Sequence, residues 1–225
     1  MIKAAPGQIM RSRRRTLALV ITPDARLEIR APLRMSIGLI EAFIYKKRPW
    51  IDRKLAEASA RPKPPVIKFD DGEEFLYLGD PYRLSVVDGA GLPLSFERGF
   101  RLARPYHALA KELFIRWYRE RAAIVTKERL DLYSSSNGVK YNGFDITGAR
   151  TRWGSCSAGG NLRFSWRLIM APRHVIDYVV AHELAHIERR DHSVRFWGRV
   201  GELFPGYGES IRWLKDNGHL LAGIL

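Results

Sequence analysis

The sequence predicts an α+β protein in which an N-terminal β-hairpin, a helix pair and a small antiparallel sheet precede a second domain of mixed helices and strands. Three observations favour this class. Apolar residues alternate over short stretches, they recur at helical spacing over longer ones, and glycine or proline separates the stretches. We expect an N-terminal β-rich region with a helix pair over residues 1–98 and a second domain over residues 99–225.

The N-terminal elements follow from local patterns. The segment LALVITPDARLEIRAP predicts two strands that reverse direction at Pro23-Asp24-Ala25. Ser36 can cap the helix that follows, and Pro49 can open a second helical piece. Residues 61–65 contain three prolines, which cannot continue a helix, so this stretch is predicted to be a linker.

The remaining elements are predicted from the same rules. In chain order they are strands over 75–78, 82–87 and 92–96, a long amphipathic helix over 106–133, strands over 141–151 and 162–169, and a helix that begins at Pro172.

Composition restricts the cofactor, the compartment and the partners. Cys156 is the only cysteine, which excludes an internal disulfide and a thiolate-rich zinc cluster, so a metal would need histidine and carboxylate ligands. The absence of a signal peptide and of a membrane-length apolar run predicts a cytoplasmic protein with no membrane partner. The formal charge of +14 favours polyanions. The arginines of residues 11–15 are also typical of a solvated strand edge, so nucleic acid is a possible but less favoured partner.

The segment AHELAHIERRDH contains the strongest chemical signal. The order His182-Glu183-x-x-His186 places two histidines one helical turn apart on one face, where both rings can reach one ion. The alternative is that this motif occurs by chance and that both histidines are merely solvated. The apolar residues upstream and the third histidine downstream argue against that alternative. We therefore predict Zn²⁺ at His182 and His186, with Glu183 activating a zinc-bound water, although manganese or nickel could also occupy such a site.

A third protein ligand is needed, because a catalytic zinc takes three and leaves one position open. His192 is the predicted third ligand, since Arg189-Arg190-Asp191 can end the helix and turn the chain back over the ion. Glu202 and Glu209 remain alternatives, because some zinc hydrolases use a downstream glutamate.

These residues lie within a longer resemblance. The stretch TRWGSCSAGGNLRFSWRLIMAPRHVIDYVVAHELAHIERRDHSVRFW, with RSRRRTLALVI, FIYKKRPWI and YLGDPYRL upstream, closely resembles the YgjP-like metallopeptidase-domain proteins, relatives of the SprT-like zincins. The resemblance implies a zincin-like metallopeptidase domain in which His182, His186 and His192 hold zinc and Glu183 is the general acid/base. Ser165 stands where the family commonly has asparagine, so a contact of that asparagine at the cleft rim is not carried over.

The resemblance also implies that the RWGSC segment lines the cleft, which makes Arg152 and Trp153 candidate substrate-binding residues. Arg152 could hold a substrate carbonyl or phosphate, or it could form a surface ion pair. Trp153 could be a substrate platform, although large aromatic side chains more often pack in cores.

Three function hypotheses follow. The leading one is a zinc metallopeptidase that acts on peptide or protein substrates. A metal-dependent nucleoside triphosphate (UTP-type) pyrophosphatase suits the positive charge and Arg152, although the sequence lacks a glycine-rich phosphate loop. A basic nucleic-acid-associated adaptor with a structural zinc is the third, and its metal would need four protein ligands.

Overall fold

The predicted hairpin is present in the computed structural model, which describes residues 8–22, 25–60, 66–89 and 91–225. Strand β2 (Ala18–Ile21) pairs antiparallel with β3 (Leu27–Pro32). Most of the turn predicted at Pro23-Asp24-Ala25 and the linker predicted at residues 61–65 lie outside the described residues.

A further strand, β1 (Gln8–Ser12), runs parallel to β3 and gives the sheet order β1-β3-β2. Arg11 secures it, because its Nη1 donates to the carbonyls of Pro32, Leu33 and Met35 at 3.2, 3.1 and 2.7 Å. One arginine of the basic cluster is thereby committed to the fold.

Two helices follow this sheet. Helix α1 (Ile37–Lys46) is capped by Ser36 as predicted, with the hydroxyl accepting from the backbone N–H of Leu39 at 3.4 Å. Helix α2 (Arg48–Ala60) has Pro49 in its first turn. A small core of Ile29, Ala31 and Ile40 joins the sheet to α1.

Four strands form the second sheet: β4 (Glu74–Tyr77), β5 (Asp80–Val87), β6 (Leu94–Phe96) and β7 (Phe100–Ala103). Their order is β4-β5-β7-β6, with two antiparallel pairs and a parallel β5–β7 pair in the middle. The predicted wholly antiparallel sheet is therefore wrong in this detail, because the unpredicted strand β7 inserts between β5 and β6.

The long predicted helix is present as α3 (Ala110–Asn137), preceded by a 3-10 turn over Arg104–Leu109 and ended by Gly138 in the left-handed conformation at φ 66°. Phe75, Phe100 and Phe114 connect this helix to the second sheet, with the Phe114 ring 4.1 Å from Phe75 and 4.8 Å from Phe100. This packing accounts for the division of the chain into units Met1–Lys63 and Pro64–Leu225, well before the boundary predicted after residue 98.

A third sheet and three helices complete the second unit. Strands β8 (Gly143–Thr147), β9 (Gly154–Cys156) and β10 (Asn161–Ser165) have the order β8-β10-β9, with β8 parallel and β9 antiparallel to β10. Helices α4 (Arg173–Glu188), α5 (Val194–Leu203) and α6 (Tyr207–Gly223) follow. Residues Trp166–Met170 form a 3-10 turn instead of the predicted end of a strand. The α+β class is confirmed.

Packing around α4 determines which of its faces is free. Ile176, Val180 and Leu184 are at most 2% exposed and belong to the main core. None of the helices in the described ranges has the length and apolar character to cross a membrane.

Candidate metal centre

Helix α4 brings the first two predicted ligands together. It begins after Pro172, whose missing N–H costs nothing at a helix start, and its apolar face fixes the helix against the core. His182 and His186 are one turn apart, and their ring centroids lie 4.9 Å from each other.

His192 lies in the connection between α4 and α5. Helix α4 ends at Glu188, and Ser193 caps α5 by accepting from the N–H of Phe196 at 3.4 Å, so the chain turns sharply between the two helices. The His192 Nε2 lies 3.3 Å from the His182 Nε2. One donor atom from each of the three histidines lies within 4.8 Å of the other two.

The competing carboxylates are outside this group. Glu202 accepts from Arg199 at 2.9 Å, and the same arginine also binds Glu188 at 3.0 Å. Glu209 lies in the first turn of α6. Within the described residues, the three histidines form the one cluster of possible metal ligands.

Neighbouring groups orient two of the imidazoles. The His186 Nδ1 is 2.9 Å from the carbonyl oxygen of Arg189, which can accept its proton and leave Nε2 as the lone-pair donor. The His182 Nδ1 lies 3.4 Å from the Tyr178 hydroxyl, a weaker contact that restrains the ring but does not select its tautomer, because a hydroxyl can donate or accept. The Phe196 ring stacks on His186 at 4.4 Å and forms an apolar wall.

Electrostatics favour neutral histidines. Burial lowers the pKa of His182 to about 4, with a further reduction from His186 and His192. Burial also lowers the pKa of His186, against the opposing hydrogen bond to Arg189. Because a metal binds neutral imidazole, little free energy is spent on removing protons from His182 and His186 near pH 7.

The donor set fits zinc. Tetrahedral coordination at about 2.0–2.1 Å separates two ligand nitrogens by roughly 3.3–3.4 Å. The observed separation of the His182 and His192 nitrogens is 3.3 Å. Three histidine donors within reach of one ion match the number of protein ligands that a catalytic zinc takes, whereas a closed structural site takes four.

Glu183 lies beside the histidines on the same helix. It is 5% exposed, and its Oε2 is buried with no hydrogen-bond partner among the described residues. Burial raises the pKa of Glu183 to about 8, and the positive charge of Arg152 opposes that rise. A buried carboxyl group that titrates near neutrality can both accept and return a proton.

Gly154 is a site residue that the sequence analysis did not single out. A Cβ at this position would lie 2.6 Å from the Cγ and 2.8 Å from the Cδ of Glu183, closer than real Cβ atoms approach other heavy atoms. The glycine lets β9 pass directly against the carboxylate. The sequence contains one indication of this role, because Gly154 lies in RWGSC, the segment that the family resemblance assigns to the cleft.

The two candidate substrate-binding residues have different surroundings. Arg152 is exposed and lines a cavity of about 180 Å³ together with Ser155 and Arg163. Trp153 also borders this cavity, but its ring packs against α6, where a Cβ on Gly218 would lie 3.0 Å away. Arg152 is thus available to a ligand, whereas Trp153 is partly committed to packing.

Ser165, the departure from the family pattern, is 1% exposed. Its hydroxyl donates to the carbonyl oxygen of Ala149 at 2.7 Å. The Ser165 side chain therefore anchors the loop between β8 and β9 through this hydrogen bond.

Arg190 stabilises the other end of β9. It donates to the carbonyl oxygens of Ser157 and Ala158, the latter at 2.9 Å, in the turn between β9 and β10. Arg190 is thus bound to this turn, and no ion pair joins it to Glu183 within the described residues.

Comparisons with known proteins place these residues in a family. The family model described as YgjP-like, metallopeptidase domain, matches residues 15–217. No curated protein matches the chain. Among solved structures, the chain is similar to the crystal structure of the metallopeptidase zymogen of Pyrococcus abyssi abylysin, with 22% identity and a TM-score of 0.37. That alignment covers 40% of this chain and 92% of the other.

Proposed function

The chain belongs to the YgjP-like metallopeptidase-domain family, as its sequence predicts, and we propose that it is a zinc-dependent hydrolase that cleaves peptide bonds. The observation that supports this most directly is the buried, unpartnered carboxylate oxygen of Glu183 beside the three converging imidazoles. His182, His186 and His192 would hold the ion.

When bound, zinc would supply a Lewis acid that polarises the scissile carbonyl and a positive charge that lowers the pKa of Glu183 from about 8. Glu183 then takes a proton from the attacking water and returns it to the leaving amine. The Glu183 Oε2 can accept this proton because no other described group donates a hydrogen bond to it. Tyr178 and the Arg189 carbonyl keep the ligand imidazoles in one orientation.

Strand β9 supports a peptide substrate. The Trp153 carbonyl oxygen accepts from Ser165 N, and Ser157 N donates to the Asn161 carbonyl, both at 2.9 Å. In antiparallel pairing the alternate residues, Gly154 and Cys156, direct their backbone groups away from β10. Since β9 is the edge strand of its sheet, an extended peptide could add there and pass along Glu183.

The test is proteolysis of an unfolded protein mixture by zinc-loaded protein, read by mass spectrometry. We expect peptide products from the wild type, none from Glu183→Gln, and an unchanged zinc content in that variant. Glu209→Gln is the matched control, because it makes the same chemical change on an exposed residue of α6 and should keep activity and zinc. Full activity in Glu183→Gln would refute the assigned role.

Nucleoside triphosphate hydrolysis is a second candidate, favoured by one observation. The cavity beside Gly154 is lined by Arg152 and Arg163, and two guanidinium groups are suited to phosphate oxygens. Adding UTP and other nucleoside triphosphates to the same incubation tests it. Monophosphate and pyrophosphate that form with the wild type, but not with Glu183→Gln or Arg152→Gln, would establish this activity.

An adaptor with a structural zinc fits the site less well. A closed structural site has four protein ligands, whereas the described residues supply three. A buried carboxyl group beside the ligands also has no structural purpose in such a site, because leaving it unpaired costs stability.

A further inference from the structure

Positive charge is concentrated in the first of the two units. Residues 1–63 contain 15 Lys and Arg against five Asp and Glu, so they hold +10 of the total +14, while the longer second unit holds +4. The hydrolase site lies entirely in the second unit. The charge of the first unit therefore has no explanation in the proposed chemistry.

The acidic residues of this unit are mostly engaged. Glu28 pairs with Arg30 at 2.9 Å, Asp52 pairs with Arg48 at 3.0 Å, and Glu57 pairs with Lys54. Another set of basic residues forms no salt bridge within the described ranges, namely Arg13, Arg14, Arg15, Arg34, Lys46 and Lys47. These side chains form an excess of cations that the unit does not neutralise itself.

One of these cations, Lys47, lines a groove. The groove has a volume of about 320 Å³ and is lined by Leu17, Ala18, Leu19, Phe43, Lys47 and Trp50. One wall is β2, an edge strand, and the other is the junction of α1 and α2. Arg13 and Arg15, which are exposed, directly precede the β2 wall in the chain, while Lys47 is itself part of the lining.

The groove combines two aromatic rings with Lys47 in its lining, and the exposed Arg13 and Arg15 lie in the segment that leads into its β2 wall. Single-stranded nucleic acid needs both features, because bases stack on aromatic faces and the phosphates require positive charge. A duplex would leave Phe43 and Trp50 without a use, since its bases are already stacked.

An anionic membrane surface matches this unit less well. The exposed apolar residues of α1 do not form one stripe, because Ile37 and Leu39 are about 200° apart around the helix by its 3.6-residue period. The outward arc between them carries the charged residues Glu41 and Lys46 as well as Gly38, Ala42 and the exposed Tyr45, so charged side chains interrupt the apolar face. Membrane-surface helices instead combine a continuous apolar face with a basic one.

We propose that the N-terminal unit is a docking site for single-stranded nucleic acid, with the bases against Phe43 and Trp50 and the phosphates on Arg13, Arg15 and Lys47. This site is separate from the metal centre and does not depend on its chemistry. It would localise the hydrolase on a nucleic acid without making that nucleic acid its substrate.

Fluorescence anisotropy of the full chain with labelled oligothymidylate and oligouridylate 20-mers tests the proposal. We expect Arg13→Glu/Arg15→Glu/Lys47→Glu to weaken binding at least about 30-fold at low salt and to reduce the slope of log K against log salt by about 2. The control is Arg98→Glu/Arg101→Glu/Lys111→Glu, which makes the same charge change on exposed residues of the second unit. It should remain within about threefold of the wild type if docking is local.

A second pair of variants separates stacking from charge. Trp50→Leu should weaken binding by about fivefold or more with an unchanged salt slope. Tyr45→Ser changes an aromatic residue that is 86% exposed and lies about 200° around α1 from Phe43, so it should have no effect. Circular dichroism checks that each variant is folded.

Several results would overturn the proposal. They are no binding by the wild type at low salt, equal losses in the two charge-reversal triples, equal affinity for a duplex 20-mer, and equal affinity for polyglutamate or for phosphatidylserine vesicles. Equal affinity for vesicles would instead indicate a membrane surface as the partner.

Discussion

Gly154 lies so close to Glu183 that a single methyl group at position 154 would stand 2.6 Å from the glutamate Cγ. Gly154 is not among the glycines with positive φ, so the requirement for glycine here comes from the close approach and not from backbone conformation. The edge strand β9 and the Glu183 carboxylate therefore restrict each other's position.

Gly154→Ala should displace Glu183 and reduce hydrolysis by about 100-fold, since a shift of about 1 Å in a catalytic group can have that effect. Zinc content should not change, because the three atoms nearest to a Cβ at position 154 all belong to Glu183, which is not one of the three candidate ligands. Gly159→Ala is the control, as its Cβ would lie 3.6 Å from Asn161 in ordinary contact. Normal activity in Gly154→Ala would show that the close approach has no role in catalysis.

His192 should be the third metal ligand. His192→Ala should raise the zinc dissociation constant by more than the 10- to 100-fold typical of changes outside the ligand shell. Competition with a chromophoric chelator measures this constant. Glu202→Gln should leave it unchanged, because Glu202 is bound to Arg199. The opposite ranking of these two variants would assign the third ligand to the glutamate.

How much of this site could be predicted from the sequence depends on how far apart its residues are along the chain. His182, Glu183 and His186 lie within one helical turn and a half, so the helix period alone determines their relative positions. His192 needed only a helix end and a turn after it. Gly154 meets Glu183 through tertiary packing, and no local pattern encodes which glycine will contact which helix.

The elements that the sequence analysis missed have related causes. Strand β9 has three residues, Gly154, Ser155 and Cys156, whose types have little strand propensity, and the pairing with β10 alone makes it a strand. Residues 64–98 belong to the same compact unit as α3, because the aromatic contacts of Phe75 and Phe100 with this helix join residues that are distant in sequence.

Cys156 should react slowly and with a shifted pH dependence. Burial raises the pKa of its thiol, with a further rise from Glu183 and an opposing effect of Arg190. A raised pKa means less thiolate at any given pH, so alkylation by iodoacetamide should be slower than for a free thiol near pH 7.5. The rate should still increase above about pH 8.5, where a free cysteine is already half ionised.

The assay for this thiol is unambiguous because the chain has one cysteine. The same protein unfolded in guanidinium chloride is the control, and its rate should level off as that of a free thiol does. A folded-state rate at or above the unfolded-state rate at pH 7.5 would contradict the effect of burial.

Arg167 should stabilise the second unit through backbone contacts. It is 3% exposed, and it donates to the carbonyl oxygens of Ile224 at 3.2 Å, Gly148 at 3.2 Å and Leu225 at 3.3 Å. Its guanidinium carbon also lies 4.2 Å from the centroid of the Trp166 ring. Burial and the nearby Arg150 lower its pKa to about 10, so it remains protonated at neutral pH.

Arg167→Met keeps much of the side-chain volume but removes the side-chain donor to the carbonyl oxygens of Ile224 and Gly148, whereas the Leu225 carbonyl still accepts from Arg150 at 3.3 Å. We expect the free energy of unfolding to fall by about 2 kcal/mol, given that an unsatisfied buried group costs roughly 1–3 kcal/mol. This corresponds to a Tm lower by roughly 4–8 °C for a domain of this size, which differential scanning calorimetry can measure.

Arg163→Met is the matched control, because that side chain is 66% exposed and lies 3.9 Å from its partner Asp145. Its change should stay within about 0.5 kcal/mol, as for most surface substitutions. Equal effects of the two substitutions would mean that the contacts of Arg167 add no net stability.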